Sequence, residues 1–244
     1  MRATAPSPDR AAPCRLTPGR ARFAFPRAAL LLAALFQPLF AQPREQGSFR
    51  PPDLVEITSL DTTIRLDIRY ATPRNFMGRP MYDEARAFLQ RPAAEALLSA
   101  HRALGNRGYG ILVFDGYRPW SVTKKFWDET PPAKRKFVAN PARGSKHNRG
   151  CAVDVSLFDR KTGTEVVMPS PYDDFSRRAA PRYPGGTPLQ RKMRDLLRGS
   201  MEAEGFAVNP DEWWHFDFRE WKAYRVLDIP FSGIEPSPPG SAPP

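Results

Sequence analysis

The sequence predicts a single α+β domain built on a central, mostly antiparallel sheet flanked by helices. Three observations predict it. Short runs around 63–69 and 151–158 alternate apolar and polar residues at the period of a half-buried strand. Longer Ala/Leu- and Leu/Met-rich runs between them carry helical spacing. The two kinds of segment do not follow the regular strand-helix-strand order of a doubly wound parallel sheet. At 244 residues, with 41% hydrophobic and 26% charged residues, the chain has the length and composition of one catalytic-sized globular domain.

Residues 1–41 stand apart from the rest. Arg2, Arg10, Arg15, Arg20, Arg22 and Arg27, with one acid, Asp9, precede the apolar run from Ala28 to Phe36. That run is about half the roughly 20 residues needed to span a bilayer. Gln37 and Pro38 interrupt it before Leu39-Phe40-Ala41, so the pattern predicts an export signal cleaved after Ala41, with no stable membrane insertion afterwards and a mature protein that is periplasmic or secreted. Without this segment 31 basic residues face 25 acidic ones, a net charge of +6 instead of +11. The remaining basic residues are scattered and lack aromatic interleaving, which argues against a nucleic acid partner. Cys14 leaves with the signal, and Cys151 is left without an intramolecular partner, so no disulfide framework is available.

A connector, 42–52, leads into the domain expected over 53–230. Its first strand covers Thr63 to Arg69, with Ile64, Leu66 and Ile68 on one face. Pro92 opens a helix carrying Leu97, Leu98 and Leu104 that stops at Gly105, and His101 on it reads as structural or surface-exposed. Ile111 to Phe114 form a buried strand, and Asp115-Gly116-Tyr117-Arg118-Pro119 turns out of it into a helix over Trp120 to Asp128. Cys151 to Phe158 is the next strand, with Cys151 a small core residue. A Pro/Arg/Gly-rich loop over about Met168 to Gly186 then precedes a helix capped by Thr187-Pro188 and closed by Gly205. The last strand is expected at Trp214 to Phe218, and 231–244 is a Pro-rich tail expected to be disordered.

Two stretches carry chemistry: Ser145 to Asp154, and Glu212-Trp213-Trp214-His215. Two neutral imidazoles and one carboxylate can hold Zn²⁺ and leave a position for water, whose proton a further glutamate can take. His147 sits on a turn and Asp154 on the strand that follows Gly150, so both can face one point from the same side of a sheet. An aspartate among valines needs a partner, either a metal or an arginine. Glu212 and His215 differ by three, which opposes them on an ideal strand, so Glu212 is expected to precede the strand, after the Asn209-Pro210-Asp211 turn. Residue types alone leave a metal site and two satisfied core histidines equally open.

Four stretches in order, Asp67 to Thr72 with Asn75-Phe76 and Gly78, then Asp115 to Pro119, Ser145 to Asp154, and Glu212 to His215, resemble the zinc D-alanyl-D-alanine dipeptidases of the vancomycin-resistance type. These are relatives of the D,D-carboxypeptidases and of the hedgehog signalling domain, and the resemblance covers about 53–230. It implies one zinc per chain, placed at the sheet and bound by His147, Asp154 and His215. It also implies Glu212 as general base and later acid, and Arg118 as the cation that stabilises the oxyanion. Met168 to Asp173 resembles the segment whose aspartate holds the substrate's free ammonium, which makes Asp173 the candidate for that role and Ser145 a further substrate contact or a turn-stabilising hydroxyl. The implied substrate is a small D,D-dipeptide, and the N-terminal signal is an addition that cytoplasmic members lack. Alternatives are a D,D-carboxypeptidase trimming D-Ala from peptidoglycan stems, a non-catalytic metal- or wall-binding module, and an Fe(II) site for oxygenase chemistry. Glu212 and Arg118 together favour hydrolysis, and Asp173 with the Trp213-Trp214 pair favours the dipeptidase.

Overall fold

The computed structural model describes residues 41–235. The expected signal, save Ala41, and the tail beyond Glu235 lie outside the described residues. Strand β1 (Leu54–Glu56) runs into a single helical turn, α1 (Ile57–Leu60). Strand β2 (Arg65–Leu66), strand β3 (Phe88–Gln90), helix α2 (Arg91–Gly105), strand β4 (Tyr109–Asp115) and helix α3 (Trp120–Glu129) follow. Strand β5 (Ala152–Asp159), helix α4 (Pro188–Ala203) and strands β6 (Phe206–Asn209) and β7 (Glu212–Phe218) complete the elements. Five strands form one sheet in the order β2-β4-β5-β7-β6, antiparallel except for the parallel pair β2–β4, while β1 and β3 pair separately. The expected α+β class and mostly antiparallel sheet are what the chain adopts.

Helices α2 and α4 pack against each other and against the sheet. Leu97, Leu104 and Ala100 of α2 and Leu197 and Met201 of α4 are fully buried, as the helical spacing requires. Thr187 caps α4 in a reciprocal box with Gln190. His101 is buried, not exposed: its Nδ1 accepts from the Ile111 N–H at 3.0 Å and its Nε2 lies 2.9 Å from the Thr63 hydroxyl, tying α2 to β4. Cys151 is a free, buried core residue.

Three boundaries differ from the sequence pattern. The alternating run from Thr63 to Arg69 is a strand only at Arg65–Leu66. Asp61 captures the N–H and hydroxyl of Thr63 at one end, and Asp67, paired with Arg69 and Arg74, leads the chain into a helical turn over Arg69–Ala71 at the other. Strands β1, β3 and β6 have only three or four residues, too few to show a period. Residues 231–235, assigned to the tail by composition, belong to the domain: Phe231 and Ile234 are buried, and the Phe231 ring packs on Tyr82 and Phe88 at centroid distances of 4.9 and 5.4 Å. The connector is also anchored, since Glu45 accepts from the Val226 N–H at 2.7 Å and pairs with Arg149. Phe231→Ala should therefore cost about 3–5 kcal/mol in urea unfolding, as for a core aromatic; a loss below about 0.5 kcal/mol would return this segment to the tail.

Candidate metal centre and active site

The site forms at one end of the sheet because the strand register stacks its residues there. Asp154 on central strand β5 lies opposite Asp115 at the end of β4 and opposite His215 on β7. His147 comes from a helical turn, His147–Arg149, which Gly150 ends at φ +67°, a left-handed conformation that favours glycine. A Cβ on Gly150 would also approach the Leu54 side chain to 2.6 Å. This turn is locked to the β4–α3 loop. Arg118 N–H donates to the His147 carbonyl at 3.1 Å, and the buried Asn148 amide donates to the Arg118 carbonyl and the Thr123 hydroxyl, both at 2.8 Å.

The hydrogen bonds on the far side of each imidazole fix where its lone pair points. His147 Nδ1 lies 2.7 Å from the Gly116 carbonyl, which can only accept, so Nδ1 carries the proton and Nε2 is left as a donor to a metal. His215 Nε2 lies 2.9 Å from the Asp217 carboxylate, which Lys146 also pairs at 2.5 Å, so Nδ1 is the free nitrogen. These two free nitrogens face each other at 3.1 Å. Asp154 Oδ1 sits 3.1 Å from His215 Nδ1 and 3.4 Å from His147 Nε2, is buried, and has no hydrogen-bond partner, while Tyr172 OH donates to its other oxygen at 2.9 Å. Two ring nitrogens and a carboxylate oxygen converging on one point are the environment a divalent cation satisfies, and the N₂O set suits zinc. The three donor atoms all lie within 4.8 Å of one another.

Without that cation the charges compensate among themselves. Burial opposes ionisation of Asp154, but His147 and His215 hold its carboxyl well below the usual range. Burial likewise opposes a charged His215, yet its bonds to Asp154 and Asp217 push it up to about 10.

Glu212 is the first residue of β7, not a residue before it. The β6–β7 register slips between Val208 and Asn209, whose partners are Phe216 and Glu212, so the extra residues on β7 cancel the odd offset. Glu212 Oε2 thereby comes within 3.7 Å of His215 Nδ1, held at 2.9 Å by the Asn209 amide. Burial raises its pKa; His215 opposes the shift and Asp154 adds to it. Trp213 and Trp214 between them are buried, the first donating to Ser170 Oγ at 3.0 Å and the second packing edge-on against Tyr172.

Arg118 is buried and held by Asp115, with guanidinium contacts of 2.5 and 3.1 Å, and its plane lies over Tyr70 and Phe126. Asp115 also accepts from Tyr82 OH at 2.7 Å and from the Gly116 N–H at 2.9 Å. Asp173 accepts from Tyr70 OH at 3.1 Å and the Phe76 N–H at 3.3 Å. It is the only described non-glycine residue with positive φ, at 59°. Burial, reinforced by Asp154, pushes its carboxyl up to about 8. Ser145 Oγ accepts from the His147 N–H at 3.2 Å, a turn contact. A cavity of about 890 Å³ is lined by His147, Asp154, His215, Glu212, Arg118 and Asp173, and by Ser145 at its wall.

All seven residues singled out in the sequence thus border one cavity. Asp115, Tyr172, Asp217 and Tyr70, which orient them, were not singled out. The even spacing of His215 and Asp217 on a strand was the available signal for Asp217.

Comparison with known proteins agrees. A family model described as D-ala-D-ala dipeptidase, Peptidase M15, matches residues 51–228. The chain is 28% identical over 180 residues to the D-alanyl-D-alanine dipeptidase of Escherichia coli K12, covering 74% of this chain and 92% of that one. It is 32% identical over 186 residues to the enzyme of that name from Enterococcus faecalis V583, covering 69% and 88%. The corresponding enzyme of Enterococcus faecium is 33% identical over 178 residues, covering 64% and 87%. On the family match over 51–228 and these sequence relatives, the chain belongs to the M15 peptidase family and is a peptidase.

Proposed function

We propose that this protein is an exported zinc dipeptidase, with one zinc per chain, that hydrolyses D-alanyl-D-alanine to two D-alanines. The observation that carries the reading is the orphaned Asp154 oxygen facing the inward ring nitrogens of His147 and His215. His147, Asp154 and His215 would hold the metal. When bound, zinc supplies a Lewis acid that polarises the scissile carbonyl and brings the pKa of water toward ~7.

The remaining work falls to the chain's own groups. Glu212, beside His215 and raised in pKa by burial, takes the proton of the attacking water at its carboxylate and returns it to the leaving amine. Arg118, unable to turn because Asp115 grips its guanidinium, meets the negative charge that grows on the carbonyl oxygen. Asp173 pairs with the substrate's free ammonium; a half-buried carboxylate of raised pKa, held in a strained backbone, lacks a cation of its own. That pairing favours a free dipeptide over a longer stem, whose neutral amide would leave Asp173 unpaired. Ser145 at the cavity wall is a further contact for substrate.

Export rests on the N-terminal arginine-rich and apolar pattern. Among the described residues no helix is long and apolar enough to cross a membrane.

Residues 42–244 should release alanine from D-Ala-D-Ala, and a chelator should abolish the release. Glu212→Ala should lower kcat by about 10²–10⁴-fold while still retaining zinc. Equal rates with and without chelator would rule the metal mechanism out.

Asp173 gives a second expectation, in stability. Its folded pKa, about 8, lies above that of an unfolded aspartate, so the folded state binds the proton more tightly and loses stability as pH rises from about 4 towards 8. With metal chelated, Asp173→Asn should raise Tm above wild type at pH 8, and the gain should shrink toward pH 5. A Tm difference independent of pH would show that Asp173 ionises freely.

A further inference from the structure

The cavity is larger than two alanines need. At about 890 Å³ it is at the upper end of the ~300–1,000 Å³ of sites that enclose drug-sized ligands. Part of its wall is a file of aromatic rings. Tyr70 and Phe126 stand at 4.7 Å, Phe126 and Phe76 at 5.3 Å, Phe76 and Phe175 at 5.1 Å, and Phe175 and Phe137 are stacked at 4.8 Å with planes 2° apart. All five line the cavity, and Phe76, Phe137 and Phe175 are only half-buried, so part of each side chain remains accessible there.

This file begins at the proposed ammonium site. The two groups that donate to the Asp173 carboxylate are the Tyr70 hydroxyl and the Phe76 N–H, and Phe175 is two residues further along the chain. A substrate whose ammonium meets Asp173 carries its first side chain on the adjacent carbon, next to these rings. Half-exposed aromatic faces gain most by covering apolar surface, especially another ring.

We propose that the site is built for dipeptides whose N-terminal residue bears a large apolar or aromatic side chain, seated against Phe76, Phe175 and Phe137. This rests on Asp173 holding the ammonium, as argued above.

The test is a comparison of kcat/KM for D-Ala-D-Ala, D-Phe-D-Ala, D-Ala-D-Phe and N-acetyl-D-Ala-D-Ala with the zinc-loaded wild type, Phe175→Ala and Phe175→Leu. Wild type should cleave D-Phe-D-Ala at least as well as D-Ala-D-Ala. Phe175→Ala should lose about tenfold more on D-Phe-D-Ala than on D-Ala-D-Ala, mainly through KM, with Phe175→Leu recovering part of the loss. Wild-type preference for D-Ala-D-Phe, a tenfold deficit on D-Phe-D-Ala, or equal losses on both substrates would overturn the subsite. The wild-type panel decides even if the variants fail to fold. Equal cleavage of the N-acetyl compound, or no cleavage of any free dipeptide, would instead remove the Asp173 reading beneath it.

Discussion

Everything at the site depends on three electron-pair donors held face to face. Left to themselves, His147, His215 and Asp154 would turn toward protons and water. The fold prevents this by occupying the other side of each: the Gly116 carbonyl accepts from His147 Nδ1–H, Asp217 accepts from His215 Nε2–H, and Tyr172 OH donates to the second Asp154 oxygen. The remaining donor atoms converge on one another at 3.1–3.4 Å, an arrangement that a divalent cation satisfies.

The sheet register supplies the convergence, and one aspartate couples the parts. Asp154 pairs across β5 with Asp115 on one side and His215 on the other. Asp115 fixes the Arg118 guanidinium through one oxygen and the Gly116 N–H and Tyr82 through the other, while Gly116 turns its carbonyl to His147. The cation expected at the oxyanion and one metal ligand are thereby positioned by the same few residues at the end of β4. The cost falls on backbone and burial: a left-handed Gly150, a left-handed Asp173, and carboxylates kept from water.

Much of this was legible before any coordinates. The long amphipathic helices and the β5 alternation follow from local patterns, because helix period and strand alternation are local properties, while the roles of the site residues came from the resemblance of their four motifs to a known family. What was not legible depended on partners distant in sequence. The shortening of β2 comes from side-chain capture by Asp61 and Asp67, and Phe231 was hidden by its Pro-rich surroundings yet finds a pocket among Tyr82, Phe88 and Tyr117. The placement of Glu212 failed for a specific reason: a strand of ideal period two would oppose it to His215, and the register slip against β6 cannot be read from either strand alone. Some groups behind the ligands were hidden likewise, since Tyr172 lies 18 residues from Asp154, and Lys146, which holds Asp217, lies 71 residues from it.

The most direct measurement of the central claim is zinc K-edge X-ray absorption on the purified, zinc-loaded protein. The account predicts one ion per chain with two imidazole nitrogens at about 2.0–2.1 Å, oxygen at about 2.0–2.2 Å, and no sulfur. A sulfur shell at about 2.3 Å, a single imidazole, or a protein that binds no zinc would contradict it.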